Sequence, residues 1–260
     1  ICFSQNWIQN QRMEMQFKEA VTSYNSGRYA TSEIILNKII DSGYESFYEK
    51  SLLLLLKSQV ALNKPEAAKR TAKIFFSDYP TSSFSGYAME SIGDLFVNYA
   101  NYESAYRMFS RSRNLSIKTE RKVKIDKKLL RIIKISISTK FIDELLIMET
   151  NLSLTNIHYL AIAYSQIMNG IPDSAALTLA KIDPTYLPDT FSELFESLLR
   201  ESYKPASPIM MVGLALPLSG SDSESGKAFL DGFKSALKSN GYNEKRISIL
   251  ARDTRSDEIE

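Results

Sequence analysis

Cysteine and histidine are nearly absent from this chain of 260 residues, which has one of each, Cys2 and His158. A single cysteine forms no disulfide within the chain, and without a Cys/His cluster there is no set of zinc ligands. No run of about eighteen apolar residues occurs, so nothing spans a membrane as a helix. The Gly-x-Ser-x-Gly elbow and the phosphate loop ending in Gly-Lys-Ser/Thr are both missing. His158 stands between Ile157 and Tyr159 on an apolar helix, with no base or nucleophile spaced to work with it. It reads as a packing histidine. These absences exclude the common catalytic constellations and point to a non-enzyme with no metal and no cofactor. Charge is nearly balanced, at +2, which argues neither for a nucleic-acid ligand nor against one. Hydrophobic residues make up 44% and charged residues 24%, the balance of a globular protein.

What the chain does have is a helical repeat. Phe17, Ala20 and Tyr24 share a helical face, Gly27-Arg28-Tyr29 makes a turn, and Ser32, Leu36 and Ile39 continue on the next helix. A second unit runs through the apolar helix Leu52–Leu62, the turn Asn63-Lys64-Pro65, then Ala68, Ala72 and Phe75. A third has Ile92-Gly93, Phe96 and Tyr99, the turn Ala100-Asn101-Tyr102, then Ala105 and Phe109. Tyr29, Pro65 and Tyr102 hold equivalent places, as do Ser32, Ala68 and Ala105. The period is roughly 36, close to the ~34 of tetratricopeptide repeats, which the array resembles. Small residues such as Gly93 and Ala105 let the two helices of a unit approach, and Tyr102 and Phe109 fill the space beside them. A further copy has Leu160, Ala163 and Tyr164 before the turn Asn169–Pro172. Between it and the third lies a degenerate unit over Leu115–Met148, with helices expected at Lys118–Ile137 and Lys140–Met148. Asp189–Ser202 reads as a capping helix. The run Asp78-Tyr79-Pro80-Thr81-Ser82-Ser83 is similar to repeats of bacterial outer-membrane assembly proteins and envelope scaffolds.

Lys204-Pro205-Ala206-Ser207-Pro208 reads as a linker, after which the apolar period changes. Ile209–Leu218 is a strand, Phe229, Leu230, Phe233, Ala236 and Leu237 mark a helix, and Ile247–Ala251 is a second strand. Strand, helix, strand with short apolar runs is a βαβ unit with parallel strands. VGLALPLSG, GKAFLDGFKSAL and ISILARDTRSDE, in that order, resemble the first βαβ of type I periplasmic solute-binding proteins, the leucine-binding-protein-like group. That resemblance implies a loop after the first strand at the edge of a ligand cleft. Ser219, Gly220 and Ser221 are then the candidate ligand-binding residues, their backbone N–H groups meeting an anionic group at a helix N-terminus. The alternative, that this loop only turns the chain, stays open. Asp253 and Thr254 read as cleft-edge or turn residues. Gly213, Gly220 and Gly226 are too far apart for a dinucleotide fingerprint.

Two segments have competing readings. Ile1-Cys2-Phe3-Ser4-Gln5 looks like the end of a secretory signal peptide, with residues 1–4 its remnant; a lipidated Cys2 and an ordinary tail are the alternatives. Arg111–Lys134 carries ten Lys and Arg against Glu120 and Asp126. Anionic lipid, nucleic acid or an acidic partner fits such a stripe. The interleaved Leu115, Val123, Ile125, Leu129 and Ile132 favour the solvated face of a packed helix.

The expected architecture is mainly α, a tetratricopeptide-like α-solenoid over residues 5–203, then a linker at 204–208. From 209 to 260 it becomes α/β, the start of a periplasmic-binding-protein-like lobe. Solenoid followed by such a unit resembles the penicillin-binding-protein activator lipoproteins of the bacterial envelope. The leading expectation is an exported, non-catalytic binding protein in the periplasm or cell envelope. It would take an amino-acid-like solute in the receptor domain and a protein partner on the repeats, with no nucleic acid and a membrane tie only through a lipid anchor. The alternative is an envelope regulator that activates peptidoglycan synthesis through protein contacts, with no small ligand.

Overall fold

The structure, a computed structural model, describes residues 2–135, 137–203, 210–239 and 247–254; for residues 2–8, 210 and 248 it describes the backbone alone. It is a mainly helical array followed by a small α/β unit. The helices are α1 (Cys2–Asn25), α2 (Tyr29–Asp41), α3 (Glu45–Ala61), α4 (Pro65–Asp78), α5 (Ser85–Asn98) and α6 (Tyr102–Asn114). They continue as α7 (Thr119–Ile133), α8 (Thr139–Leu146), α9 (Leu152–Met168), α10 (Pro172–Leu179) and α11 (Ser192–Ser202). Single 3-10 turns at Pro184–Tyr186 and Asp189–Phe191 precede α11. By its contacts the chain forms two units, one of residues 1–161 and 183–193, the other of residues 162–182 and 194–260.

The repeat rests on a turn that recurs four times. Gly27, Asn63, Ala100 and Gly170 hold left-handed backbone, with φ of 75°, 55°, 54° and 69°. At each, the following N–H reaches back into the helix just ended: Arg28 to Ser23, Lys64 to Gln59, Asn101 to Phe96 and Ile171 to Gln166, all at 2.9 Å. This is the hydrogen-bonded helix end that a left-handed residue makes possible. Ala100 occupies it at a cost of roughly 1–2 kcal/mol, because its Cβ crowds the carbonyl. The next helix starts two residues later, at Tyr29, Pro65, Tyr102 and Pro172, as the sequence alignment of units requires. Proline at Pro65 and Pro172 suits a first helical position, where an N–H has no helical partner.

Small side chains then set how closely paired helices approach. Ser32, Ala68, Ala105 and Ala175 fall at the same place in each second helix and are all fully buried. Opposite Ala105, Gly93 is tighter still: a Cβ there would lie 2.4 Å from the Phe109 ring. A polar detail also repeats that hydrophobic periodicity does not reveal. The Thr71 hydroxyl donates to Gln59 Oε1 at 2.8 Å, and Thr178 donates to Gln166 Oε1 at 2.9 Å. Leu52, Leu56, Ala68, Phe75, Ala88 and Leu95 form one core cluster over α3 to α5; Met13, Ala20, Leu36, Ile39 and Leu55 form another over α1 to α3.

Several boundaries differ from expectation. Helix α1 begins at Cys2, well before Phe17, so residues 2–5 of the segment read as a signal-peptide tail lie on that helix; Ile1 lies outside the described residues. In the degenerate unit α7 stops at Ile133 and α8 spans only Thr139–Leu146. Ser136, between them, lies outside the described residues, as does the linker at 204–208. Here a buried ion pair ties the helices: the Arg113 guanidinium on α6 meets the Asp126 carboxylate on α7 and donates to Ser153 Oγ on α9 at 3.0 Å. Removing one partner of such a pair costs about 3–5 kcal/mol, because a lone charge stays buried.

The α/β unit has β1 (Met210–Leu216), α12 (Ser223–Ser239) and β2 (Ile247–Asp253), with the strands parallel and Val212 opposite Ile249. Strand β1 ends where Pro217 removes an N–H. Strand β2 runs two residues beyond Ala251, because Ala215 and Leu216 still pair with Arg252 and Asp253. Gly226, in the first turn of α12, packs on the Pro217 carbonyl, 2.0 Å from where a Cβ would sit. Met211 and Leu250 remain more than half exposed.

Gly93→Ala tests the close approach. Alanine gains about 1 kcal/mol in helix propensity, whereas overpacking a filled core costs about 1–3 kcal/mol. The clash with buried Phe109 should win. The variant should unfold at lower urea concentration than the parent, and adding Phe109→Leu should recover part of the loss. Equal or greater stability in Gly93→Ala alone would show that the pair is looser than described.

Candidate functional site

Helices α1, α3, α5 and α7, the first of each of the first four pairs, together line a groove of about 550 Å3. Tyr24 comes from α1; Lys57, Val60 and Ala61 come from α3; Tyr87, Glu90, Ser91 and Asp94 come from α5. Lys118 and, on α7, Glu120, Arg121 and Lys124 close it. The residues recur because positions one turn apart on a helix share a face: Lys57 with Val60 and Ala61, Tyr87 with Glu90, Ser91 and Asp94.

Tyr87 is the centre of this groove. The Arg121 guanidinium carbon lies 3.4 Å from its ring centroid and Lys57 Nζ lies 5.3 Å from it. Such cation–π contacts contribute about 0.5–2 kcal/mol, more when water is excluded. Arg121 is anchored from behind: its Nε donates to Ser116 Oγ at 2.9 Å and its Nη2 to Ser112 Oγ at 3.1 Å. The Ser112 hydroxyl donates in turn to the Gly86 carbonyl at 2.7 Å, tying α6 to α5. Arg121 Nη1 is buried without an acceptor.

Beside the ring, carboxylates are shared. Glu90 meets Arg121 at 3.2 Å, Lys124 at 3.4 Å and Lys128 at 2.8 Å, and Asp94 meets Lys128 at 2.7 Å. Burial pushes the Glu90 carboxyl up, but the Lys128 hydrogen bond and the three cations outweigh it and hold the group below its usual value. For Asp94 burial wins over Lys128, and the carboxyl is raised. Lys57 is lowered by burial, only partly offset by Glu90.

The basic stripe therefore divides three ways. Arg113 is buried against Asp126; Arg121, Lys124 and Lys128 serve the groove; Arg111, Lys127 and Arg131 are exposed to solvent. A solvated face describes the third set, and Lys118 and Lys134 are exposed as well. The aromatics divide too. Phe75 and Phe109 are core, while Tyr24 reaches the groove. Tyr87, which is none of the repeat positions read from the sequence, joins it there. Its signal is weak in one dimension, since its cations come from helices about 30 residues away on either side.

His158 packs as expected. It is buried, with Nδ1 2.8 Å from the Tyr106 hydroxyl and Nε2 3.9 Å from Glu149 Oε2. A carboxylate facing Nε2 favours the proton on that nitrogen, leaving Nδ1 to accept from Tyr106. Burial depresses the imidazole to about 4, so it is neutral at pH 7 and the 3.9 Å separation is no ion pair.

In the α/β unit the loop after β1 is organised by Asp253. Its Oδ1 accepts from the Leu218 N–H at 2.8 Å and the Ser219 N–H at 3.3 Å, and the Thr254 N–H donates to the Leu216 carbonyl at 2.9 Å. Gly220 adopts φ +83°, a turn that favours glycine. Ser219, Gly220 and Ser221 thus sit together before α12, with the Ser219 N–H engaged by Asp253. Among the described residues there is no cluster of metal-ligating side chains, and no helix is long and apolar enough to cross a membrane.

A helical repeat array followed by a small βαβ unit is the class of fold. Two solved structures of LpoA from Haemophilus influenzae, both monoclinic forms, are similar to it, each with a TM-score of 0.51 and 18% identity over 94% of this chain. The chain spans 44% of the length of those LpoA chains, and the likeness is one of fold. No protein-family model and no curated protein matches the sequence.

The pH dependence of stability tests the His158 environment. An unfolded imidazole takes up its proton near pH 6.5 and the folded one near pH 4, so the unfolded state binds more protons between these values. Stability contributed by neutral His158 should fall as pH falls through that window, by up to about 3 kcal/mol. Urea unfolding at pH 7 and pH 4.5 should show a smaller loss for His158→Gln than for the parent. Identical losses would place the imidazole in water.

Proposed function

We propose that the chain is the interaction part of a bacterial envelope regulator that promotes peptidoglycan synthesis through protein contacts, with the groove on α1, α3, α5 and α7 as the docking site. The observation that carries this reading is the groove itself. It is a recess on the repeat helices lined by Tyr87 and by charged side chains, of which Arg121 is held in place by Ser112 and Ser116. Repeat arrays offer such recesses to extended partner segments. The layout resemblance to penicillin-binding-protein activator lipoproteins and the fold likeness to LpoA support the same class of role. An envelope location, in the periplasm or tethered to a membrane through Cys2, belongs to this proposal.

The solute-receptor reading has less behind it. It needs free backbone donors at Ser219–Ser221, and the Leu218 and Ser219 N–H groups already serve the Asp253 carboxylate. No observation favours an amino-acid-like ligand there over a loop that turns the chain.

Ala61 lines the groove and is exposed, so Ala61→Trp should fill it without disturbing the core. In a reconstituted assay of glycan polymerisation by a peptidoglycan synthase from the same cell, the full-length protein should raise the rate. Ala61→Trp should weaken the half-maximal concentration by about tenfold or more, the scale of a 1.4 kcal/mol loss. Circular dichroism should stay unchanged. Stimulation by the parent with no effect of Ala61→Trp would move the docking site elsewhere.

A further inference from the structure

We propose that the occupant of the groove is an acidic polypeptide segment, one carboxylate meeting Lys57 beside the Tyr87 ring and another reaching Lys118 and Lys124. This rests on the docking reading and adds the chemistry of the partner. The groove holds more cationic capacity than its own carboxylates use. Lys57 is half-buried, and among the described residues no carboxylate lies within ion-pair distance of it; Glu90 offsets its burial only in part, and its Nζ lies 5.3 Å from the centre of the Tyr87 ring. Losing water without gaining a counter-ion is costly, and an incoming carboxylate reverses that cost. Arg121, against the same ring, is held by Ser112, Ser116 and Glu90 and fixes the ring beside which Lys57 stands. Glu90 is divided among three cations, so none of them has a carboxylate to itself except through Asp94. Lys118 and Lys124 stand exposed at the edge, where they can meet a partner early and steer it in.

The same groove argues against a nucleic-acid strand. Glu90, Asp94 and Glu120 line it among the cations, and a continuous phosphate backbone would pass over all three. A polypeptide spaces its carboxylates, so it can place them on Lys57, Lys118 and Lys124 and present neutral groups to the acidic positions. A net charge of +2 also gives the chain no general attraction for polyanions, so any preference must come from this local arrangement. A recess of about 550 Å3 accommodates several side chains of an extended segment.

The experiment uses the full chain and fluorescein-labelled hexaglutamate, followed by anisotropy at physiological salt, with hexaglutamine and a hexathymidylate strand beside it. Hexaglutamate should bind, hexaglutamine should bind at least tenfold more weakly, and the oligonucleotide should bind more weakly than hexaglutamate. Lys57→Gln should weaken hexaglutamate about tenfold. Lys127→Gln, which removes an exposed charge of α7 away from the groove, should change it less than twofold. Absence of hexaglutamate binding, equal losses in the two lysine variants, or tighter binding of the oligonucleotide would each overturn the proposal. If hexaglutamate fails while Ala61→Trp still blocks stimulation of the synthase, the acidic occupant falls and the docking reading stands. If Ala61→Trp has no effect and hexaglutamate binding still depends on Lys57, the groove takes acidic segments but not for that purpose.

Discussion

The close approach of the two helices in each pair is the constraint on which the rest depends. It needs a left-handed residue where the chain turns back and a side chain no larger than serine or alanine at the contact. Gly27, Asn63, Ala100 and Gly170 meet the first condition, and Ser32, Ala68, Ala105 and Ala175 the second. Neither is strong alone, since one turn is worth a kilocalorie or so. Their repetition fixes a common geometry, and each pair buries its apolar face only against its neighbours. The first helices of neighbouring pairs also pack on one another, α1 on α3 and α3 on α5, so their exposed faces adjoin, and α1, α3, α5 and α7 present side chains together in one groove.

Where the small-residue pattern lapses, electrostatics replaces it. At the α6–α7 junction Arg113 and Asp126 are sealed from solvent, with Ser153 taking a further guanidinium donor. Such a pair costs much to desolvate and is unforgiving if half is lost. The exposed pairs Lys18–Glu14 and Lys69–Glu66 contribute well under about 1 kcal/mol each. The groove pairs lie between these extremes. Partly buried and unevenly shared, they hold Tyr87 and Arg121 still while leaving Lys57 only partly compensated, which suits a surface built to receive charge rather than to stabilise the fold.

The repeat was readable because it is written in local signals: a turn residue, a small residue five positions after it and an aliphatic or aromatic one four further on. The βαβ unit was readable for a similar reason, short apolar runs bounded by proline and glycine. The first helix of the degenerate unit is shorter than the sequence suggests: the apolar residues at Ile135 and Ile137 prolong the pattern, but α7 ends at Ile133. Helix α1 was missed before Phe17, where the chain is too polar to show a face. The groove was not legible at all. Tyr24, Lys57, Tyr87 and Arg121 lie on four different helices, and nothing in one dimension says that their faces coincide. The ten cations of Arg111–Lys134 looked alike in sequence; only packing separates the one that is buried from those that meet Glu90. Asp253 was placed at a turn, but its bonds to Leu218 and Ser219 depend on strand pairing that sequence cannot register.

The most direct measurement is site-specific cross-linking in cells that make the full-length protein. A photo-reactive phenylalanine analogue at Ala61, inside the groove, is compared with one at Ile74, exposed on α4. The account predicts that position 61 captures a peptidoglycan synthase, that position 74 does not, and that Lys57→Gln reduces the capture at 61. Capture of the synthase from position 74 alone, or from both equally and without regard to Lys57, would contradict it.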